Sequence, residues 1–179
     1  MSSRDKRRVF FAARPARAER DAIEQACADL IFDPEDAPRL RWLDAEGWHI
    51  TLRFVGDVDA ELMPQLLACI GPIQPFTIEL SAIEVFPSAR RPLVIAATGI
   101  SAPAGVALVE SLEAGCRALG LQPERRPWRP HMSLARIRGR KPLAIDPSPL
   151  SAALRVDSFV LMESVRGERG NRYVPVRDD

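Results

Sequence analysis

Both histidines of the chain stand in the same short setting, inside stretches rich in apolar and β-branched residues. His49 begins "HITLRFVGDV" and His131 lies in "RPHMSLAR", so each is followed two positions later by a hydroxyl residue, Thr51 or Ser133, and then by leucine. In an extended strand, residues i and i+2 project from one face about 7 Å apart. A fold that uses both motifs must hold two strands that each aim an imidazole and a hydroxyl into a cleft. The residues between them, Ile50 and Leu52 in the first motif, anchor the strand in a core.

The surrounding pattern predicts strands and helices in alternation. "RVFFAA" reads as a short buried strand, and Pro15 suits the first turn of a helix running to about Leu30, with Ile23, Cys27 and Leu30 on one side. Residues 49 to 55 form the next strand. Asp57 caps a helix over "DVDAELMPQLLACIG" that stops at Gly71. "FTIELSAIEVF", with Ile78, Leu80, Ala82 and Ile83 facing inward, pairs with "LVIAATGI" across the "PSARRP" turn. A helix over residues 103 to 119 places Leu108, Leu112, Cys116 and Leu119 on one face. "KPLAIDPSPL" is a connector, "LRVDSFVLMES" one long strand, and "RYVPV" its partner after the "RGERGN" turn. Strands, hairpins and outer helices in this order make an α+β protein with antiparallel sheets.

Composition narrows the class. At 179 residues, 46% hydrophobic and 27% charged, the chain is in the ordinary globular range and suits one domain of two lobes. No apolar run approaches the length of about 20 residues that a membrane span needs. The basic N-terminus lacks the apolar core of a secretory signal, and Cys27, Cys69 and Cys116 are an odd, widely spaced set in helix-like segments. A cytoplasmic protein with reduced thiols is expected. The net charge of +1 conceals a block from Arg125 to Lys141 with seven Lys or Arg residues and no Asp or Glu, centred on His131.

The chemistry suited to two His-hydroxyl pairs is general acid-base catalysis at phosphorus. With an ordinary pKa of about 6.5, one imidazole takes a proton while another gives one. The hydroxyls bind non-bridging phosphate oxygens, and arginine neutralises the charge that builds in a pentavalent transition state. A cyclic phosphodiester fits, because ring opening needs water deprotonated on one side and an alkoxide protonated on the other. Neither a zinc spacing nor a G-x-S-x-G elbow occurs, so no metal or other cofactor is expected.

The two motifs with their flanks, together with "RVFFAA", "FPSARRP" and "SFVLMESVRGERGNRYVPV", resemble the 2H phosphoesterase superfamily, in particular its RNA 2′,3′-cyclic phosphodiesterase branch, also called the 2′-5′ RNA ligase family. The resemblance implies a single bilobal domain over residues 1–179, with two antiparallel sheets facing a central cleft and helices outside. It implies metal-independent hydrolysis of RNA 2′,3′-cyclic phosphate ends to 2′-phosphomonoesters. His49 matches the position that protonates the leaving 3′-oxygen and His131 the position that accepts a proton from water. Thr51 and Ser133 match the phosphate-holding hydroxyls, with serine in place of the commoner threonine. Arg136 matches a phosphate-binding cation, although its strand parity is wrong for the face of His131, so it reaches the phosphate only across a bulge or a strand exit. Arg53 has the right parity and is a second phosphate candidate, whereas Phe54, by the same parity, faces away. Trp128, Arg126 and Arg129 are candidates for stacking on a base and for backbone phosphates.

The expected partner is an RNA or oligonucleotide end, and the expected state is a monomer. Two enzymatic alternatives are a 2′-5′ RNA ligase, reached by microscopic reversibility, and an esterase of another small cyclic phosphate. A non-catalytic RNA-end-binding protein is the alternative from a different class.

Overall fold

In the computed structural model, which describes residues 6–139, 141–143, 145–146, 148–167 and 170–176, the strands pair only in the antiparallel sense. They are β1 (Lys6–Ala13), β2 (Leu40–Trp42), β3 (Ile50–Asp59), β4 (Phe76–Ser88), β5 (Arg91–Ser101), β6 (His131–Ile137), β7 (Ser148–Val156), β8 (Val160–Gly167) and β9 (Gly170–Pro175). The helices are α1 (Arg17–Ala28), α2 (Met63–Leu67) and α3 (Pro103–Ala118).

Strand order runs β7-β4-β5-β6-β3-β1-β8-β9, with β2 on the far end of β6. Its centre is narrow. β3 and β6, the strands that follow and contain the two histidines, are joined through one residue pair, Ile50 with Met132. The expected two antiparallel sheets are thus two halves, one of five strands counting β2 and one of four, joined at a single residue pair, each contributing one motif. Helix α1 packs on β7, and α3 packs on β3, β4 and β5. A continuous core between helices and sheet includes Phe11, Ile23, Ile50, Ile83, Leu112, Met132 and Leu161.

Long-range pairing overrides local signals in three places. Asp57 caps no helix: β3 continues to Asp59 opposite Lys6–Arg8, and Asp57 forms a 3.2 Å ion pair with Arg8. The helical residues then shrink to a short 3-10 turn and α2, with Pro64 in its first turn. "LRVDSFVLMES" is two strands, because β7 pairs with β4 while β8 pairs with β1. In β4, a register shift between Leu80 and Ala82 moves the buried face from Ile78 and Leu80 to Ile83 and Val85, so Ala82 does not continue it. The expected turn around Glu168 and Arg169 lies outside the described residues.

Gly99 is set by this packing. A Cβ there would come within 1.9 Å of the Glu79 carbonyl oxygen, which leaves glycine as the residue the close strand approach admits. All three cysteines are free, and burial raises the Cys27 thiol to about 11. No described helix is long and apolar enough to cross a membrane.

Candidate active site

The Ile50–Met132 pair sets the geometry of the cleft. Both side chains are fully buried, so the residues on either side of them face the opposite way. In the antiparallel register fixed by this pair, His49 stands opposite Ser133 and Thr51 opposite His131. The backbone register thus sets each histidine across from the hydroxyl residue of the other motif.

The two rings are held alike. His49 Nδ1 donates to the Gly47 carbonyl at 2.8 Å, and His131 Nδ1 donates to the Arg129 carbonyl at 2.8 Å. A carbonyl only accepts, so each bond assigns the proton to Nδ1 and leaves Nε2 of the neutral ring as the atom available for proton transfer. Each ring also rests on a phenylalanine, from β1 for His49 and from β4, two strands away, for His131. Phe10 lies 4.8 Å from His49, and Phe86 stacks on His131 at 4.1 Å.

Burial pushes both imidazoles below their ordinary pKa, opposed in each case by the backbone hydrogen bond. Positive neighbours add to the lowering: His131, Arg14 and Arg136 for His49, and Arg129 and Arg126 for His131. The same cations that depress the rings make the cleft attractive to an anion. Neither the Thr51 nor the Ser133 hydroxyl has a hydrogen-bond partner among the described residues, so both can serve a ligand. Among those residues no group of three His, Cys, Asp or Glu side chains is placed to hold a metal ion.

Bulges decide where the arginines go. In β6, a register shift at Leu134 aligns His131 with Thr98, Ser133 with Ala96 and Arg136 with Val94, which are alternate residues of β5. Of the two routes open to it, a bulge or a strand exit, Arg136 thus gains the face of His131 through a bulge. Its Nη2 donates to the Tyr173 hydroxyl at 2.5 Å, and the Tyr173 ring meets His49 edge-on at 4.8 Å.

In β3 a shift at Leu52 has the opposite effect on Arg53. It aligns Thr51 with Ala12 but Arg53 with Phe11, on the core face. Arg53 is 5% exposed, pairs with Glu113 at 2.5 Å and donates to the Gln122 and Phe54 carbonyls. It is a structural cation and not a phosphate ligand. Phe54, expected on the far face, instead aligns with Phe10 and is 39% exposed, with the Arg8 guanidinium 5.0 Å above its ring.

The basic block divides between different surroundings. Arg126 is held by Glu124, whose carboxyl its hydrogen bond pulls down to about 2. Arg129 lies over the Phe86 ring at 4.8 Å. Trp128 is half-buried, and its indole N–H donates to the Thr51 carbonyl at 2.8 Å, tying the approach to one motif to the strand of the other. Arg14, Phe10 and Tyr173 were not singled out in the sequence. The signal for the first two was present, since pairing "RVFFAA" with the first motif sets Ala13 beside Ile50 and Arg14 next to His49. Tyr173 offers no such local signal.

Residues 14–96, which include the first motif, match the family described as LigT like Phosphoesterase. The fold agrees over nearly the whole chain with that of Escherichia coli LigT in its apo form, at a TM-score of 0.72 and 26% identity, covering 96% of this chain and 95% of that one. This chain carries a LigT-like 2H phosphoesterase domain. A Thermus thermophilus protein superposes on this domain with a TM-score of 0.79 at 24% identity, covering 95% of each chain. Two relatives named RNA 2′,3′-cyclic phosphodiesterase are similar in sequence. The one from Aeropyrum pernix is 32% identical over 108 residues, 58% of this chain and 61% of the relative. The one from Geobacillus stearothermophilus is 30% identical over 137 residues, 73% of this chain and 42% of the relative. The matched stretches thus span less than two thirds of either relative.

Proposed function

We propose that this LigT-like chain hydrolyses 2′,3′-cyclic phosphate ends of RNA to 2′-phosphomonoesters, by acid-base catalysis between His49 and His131 and without a metal. The observation that carries this reading is the matched pair of imidazoles, each with Nδ1 fixed by a backbone carbonyl and each set by the register across from the other motif's hydroxyl residue. The relatives named as RNA 2′,3′-cyclic phosphodiesterases supply the substrate class.

In this mechanism neutral His131 takes a proton from water at Nε2 as the water oxygen bonds to phosphorus. The P–O3′ bond breaks, and protonated His49 gives its Nε2 proton to the departing 3′-oxygen. The products are a 3′-hydroxyl and a 2′-phosphomonoester, and proton exchange with solvent restores both rings. Thr51, Ser133 and Arg136 bind the phosphoryl oxygens, and Arg14 adds positive potential. The anionic phosphate offsets the cations that depress His49, so substrate itself favours the protonated acid. Both histidines come from one chain, so the acting unit is a monomer read as one bilobal domain. A cytoplasmic setting suits both the RNA substrate and the free thiols.

The test is incubation under chelation with cytidine 2′,3′-cyclic phosphate and a short RNA bearing the same end. Wild type is expected to yield the 2′-phosphate, and His49→Ala and His131→Ala to be inactive yet folded. A wild type that leaves both substrates intact, or that works only with added metal, overturns the mechanism.

A further inference from the structure

Beside His131 the cleft continues into a groove of about 500 Å³, within the range of nucleotide-sized ligand sites. Its rim carries Arg129. One wall is apolar: Ile100 is 73% exposed and Val106 44% exposed, and Trp128 lies with them. The groove also holds a carboxylate, Glu84. Elsewhere the cleft presents cations, and a carboxylate near a phosphate site repels the substrate's charge unless the ligand brings a hydrogen-bond donor to it.

The environment of Glu84 fits that role. The Thr98 hydroxyl donates to Glu84 Oε1 at 2.9 Å, which orients the carboxylate and uses Thr98's only proton. Among the described residues Glu84 has no cation partner and Oε2 accepts no bond. Together the two side chains offer acceptors only.

Sheet register places this edge at a defined distance. Glu84 on β4 pairs with Ala96 on β5, and Ala96 with Ser133 on β6, so the three form one row. Two strand spacings, about 10 Å, separate Glu84 from Ser133. That is the scale of a nucleotide measured from its phosphate to the far edge of a purine. The equivalent row in the other half, Thr51, Ala12 and Val160, ends in valine. The near-symmetric cleft therefore carries one polar reading position.

We propose that the groove seats the base of the terminal nucleotide and that Glu84 reads its Watson–Crick edge, favouring guanine and disfavouring uracil. Guanine presents two adjacent donors, N1–H and the N2 amine, to the two carboxylate oxygens. Adenine and cytosine present one amine beside an acceptor, and uracil flanks its single N–H with carbonyls that Glu84 repels. The preference rests on the hydrolytic reading above for the position of the phosphate.

The experiment compares kcat/KM for guanosine and uridine 2′,3′-cyclic phosphates in wild type and Glu84→Gln, and titrates guanosine and uridine 2′-monophosphates into His131→Ala with and without Glu84→Gln. Wild type is expected to favour guanosine about tenfold, the scale of one good polar base contact. Glu84→Gln is expected to bring the ratio within about twofold of unity by lowering the guanosine value, and binding should follow the same order. Turnover of both substrates at equal kcat/KM, or a guanosine preference that survives Glu84→Gln, overturns the base-reading role and leaves the hydrolytic reading intact. Absence of turnover overturns the hydrolytic reading. In that case guanosine-selective binding that Glu84→Gln abolishes upholds the groove, and equal binding of both nucleotides overturns it.

Discussion

Arg136 Nη2 and the Tyr173 hydroxyl are 2.5 Å apart, and this bond links the cation of one motif to the ring that lies edge-on to the histidine of the other. Tyr173 accepts from Arg136 through its oxygen, so its own proton is left for a phosphoryl oxygen. Tyr173→Phe keeps the ring on His49 but frees Arg136. A hydrogen bond to a charged group contributes about 1.5 kcal/mol or more, so kcat/KM should fall about tenfold, mainly through KM. Tyr173→Ala should also shift the pH profile, since His49 loses the ring beside it. Unchanged kinetics in Tyr173→Phe would show that the bond plays no part in substrate binding.

Because both imidazoles sit below their ordinary pKa in the free protein, the pH dependence of kcat/KM has a predictable position. The reactive form needs one ring neutral and one protonated, so the bell should be centred below about pH 6.5. The profile of kcat reports the complex, in which the phosphate raises the acid, and its alkaline limb should lie higher. A kcat/KM bell centred well above neutrality would contradict the cationic, desolvated cleft. Replacing Arg14 with Gln should move the limb belonging to His49 upward, because one of the charges that depress it is gone.

The same depression has a consequence for stability. The folded state binds fewer protons than the unfolded chain between the lowered pKa values and about 6.5, so unfolding free energy rises with pH through that window. The contribution is complete above about pH 6.5 and is lost as pH falls through the folded values. Thermal melts of wild type from pH 7.5 to 5 should show a decline that a His49→Gln/His131→Gln variant shows less. Equal slopes in the two proteins would place the acid sensitivity elsewhere.

The sequence carried the site at the level of strands but not at the level of faces. Two His-x-hydroxyl motifs in extended runs were enough to pair the histidines with Thr51 and Ser133, because period-two alternation survives over three residues. It fails over longer spans wherever a bulge intervenes. The shift at Leu52 exchanged the faces of Arg53 and Phe54, and the shift at Leu134 brought Arg136 to His131. Bulges arise from pairing between strands distant in sequence, so no local pattern announces them. The same cause extended β3 through Asp57, where partners in β1 outweighed a good helix cap. Tyr173 reaches the cleft only because β9 pairs with β8, a relationship set by the whole sheet.

The face exchange at Leu52 yields a direct test through Arg53. Its guanidinium is buried against Glu113 and two carbonyls, so removing it leaves a partly buried carboxylate without its cation. Arg53→Ala should destabilise the fold by about 3 kcal/mol, read as a lower urea midpoint at unchanged slope. Arg53→Met/Glu113→Leu replaces both charges with apolar groups and should recover most of that loss. If Arg53 held phosphate, both variants would also raise KM steeply. Their folded fractions are instead expected to keep the wild-type kcat and KM, since the Arg53 guanidinium is buried and each of its nitrogens is bonded to a protein acceptor. A KM increase in the stabilised double variant would return Arg53 to the cleft.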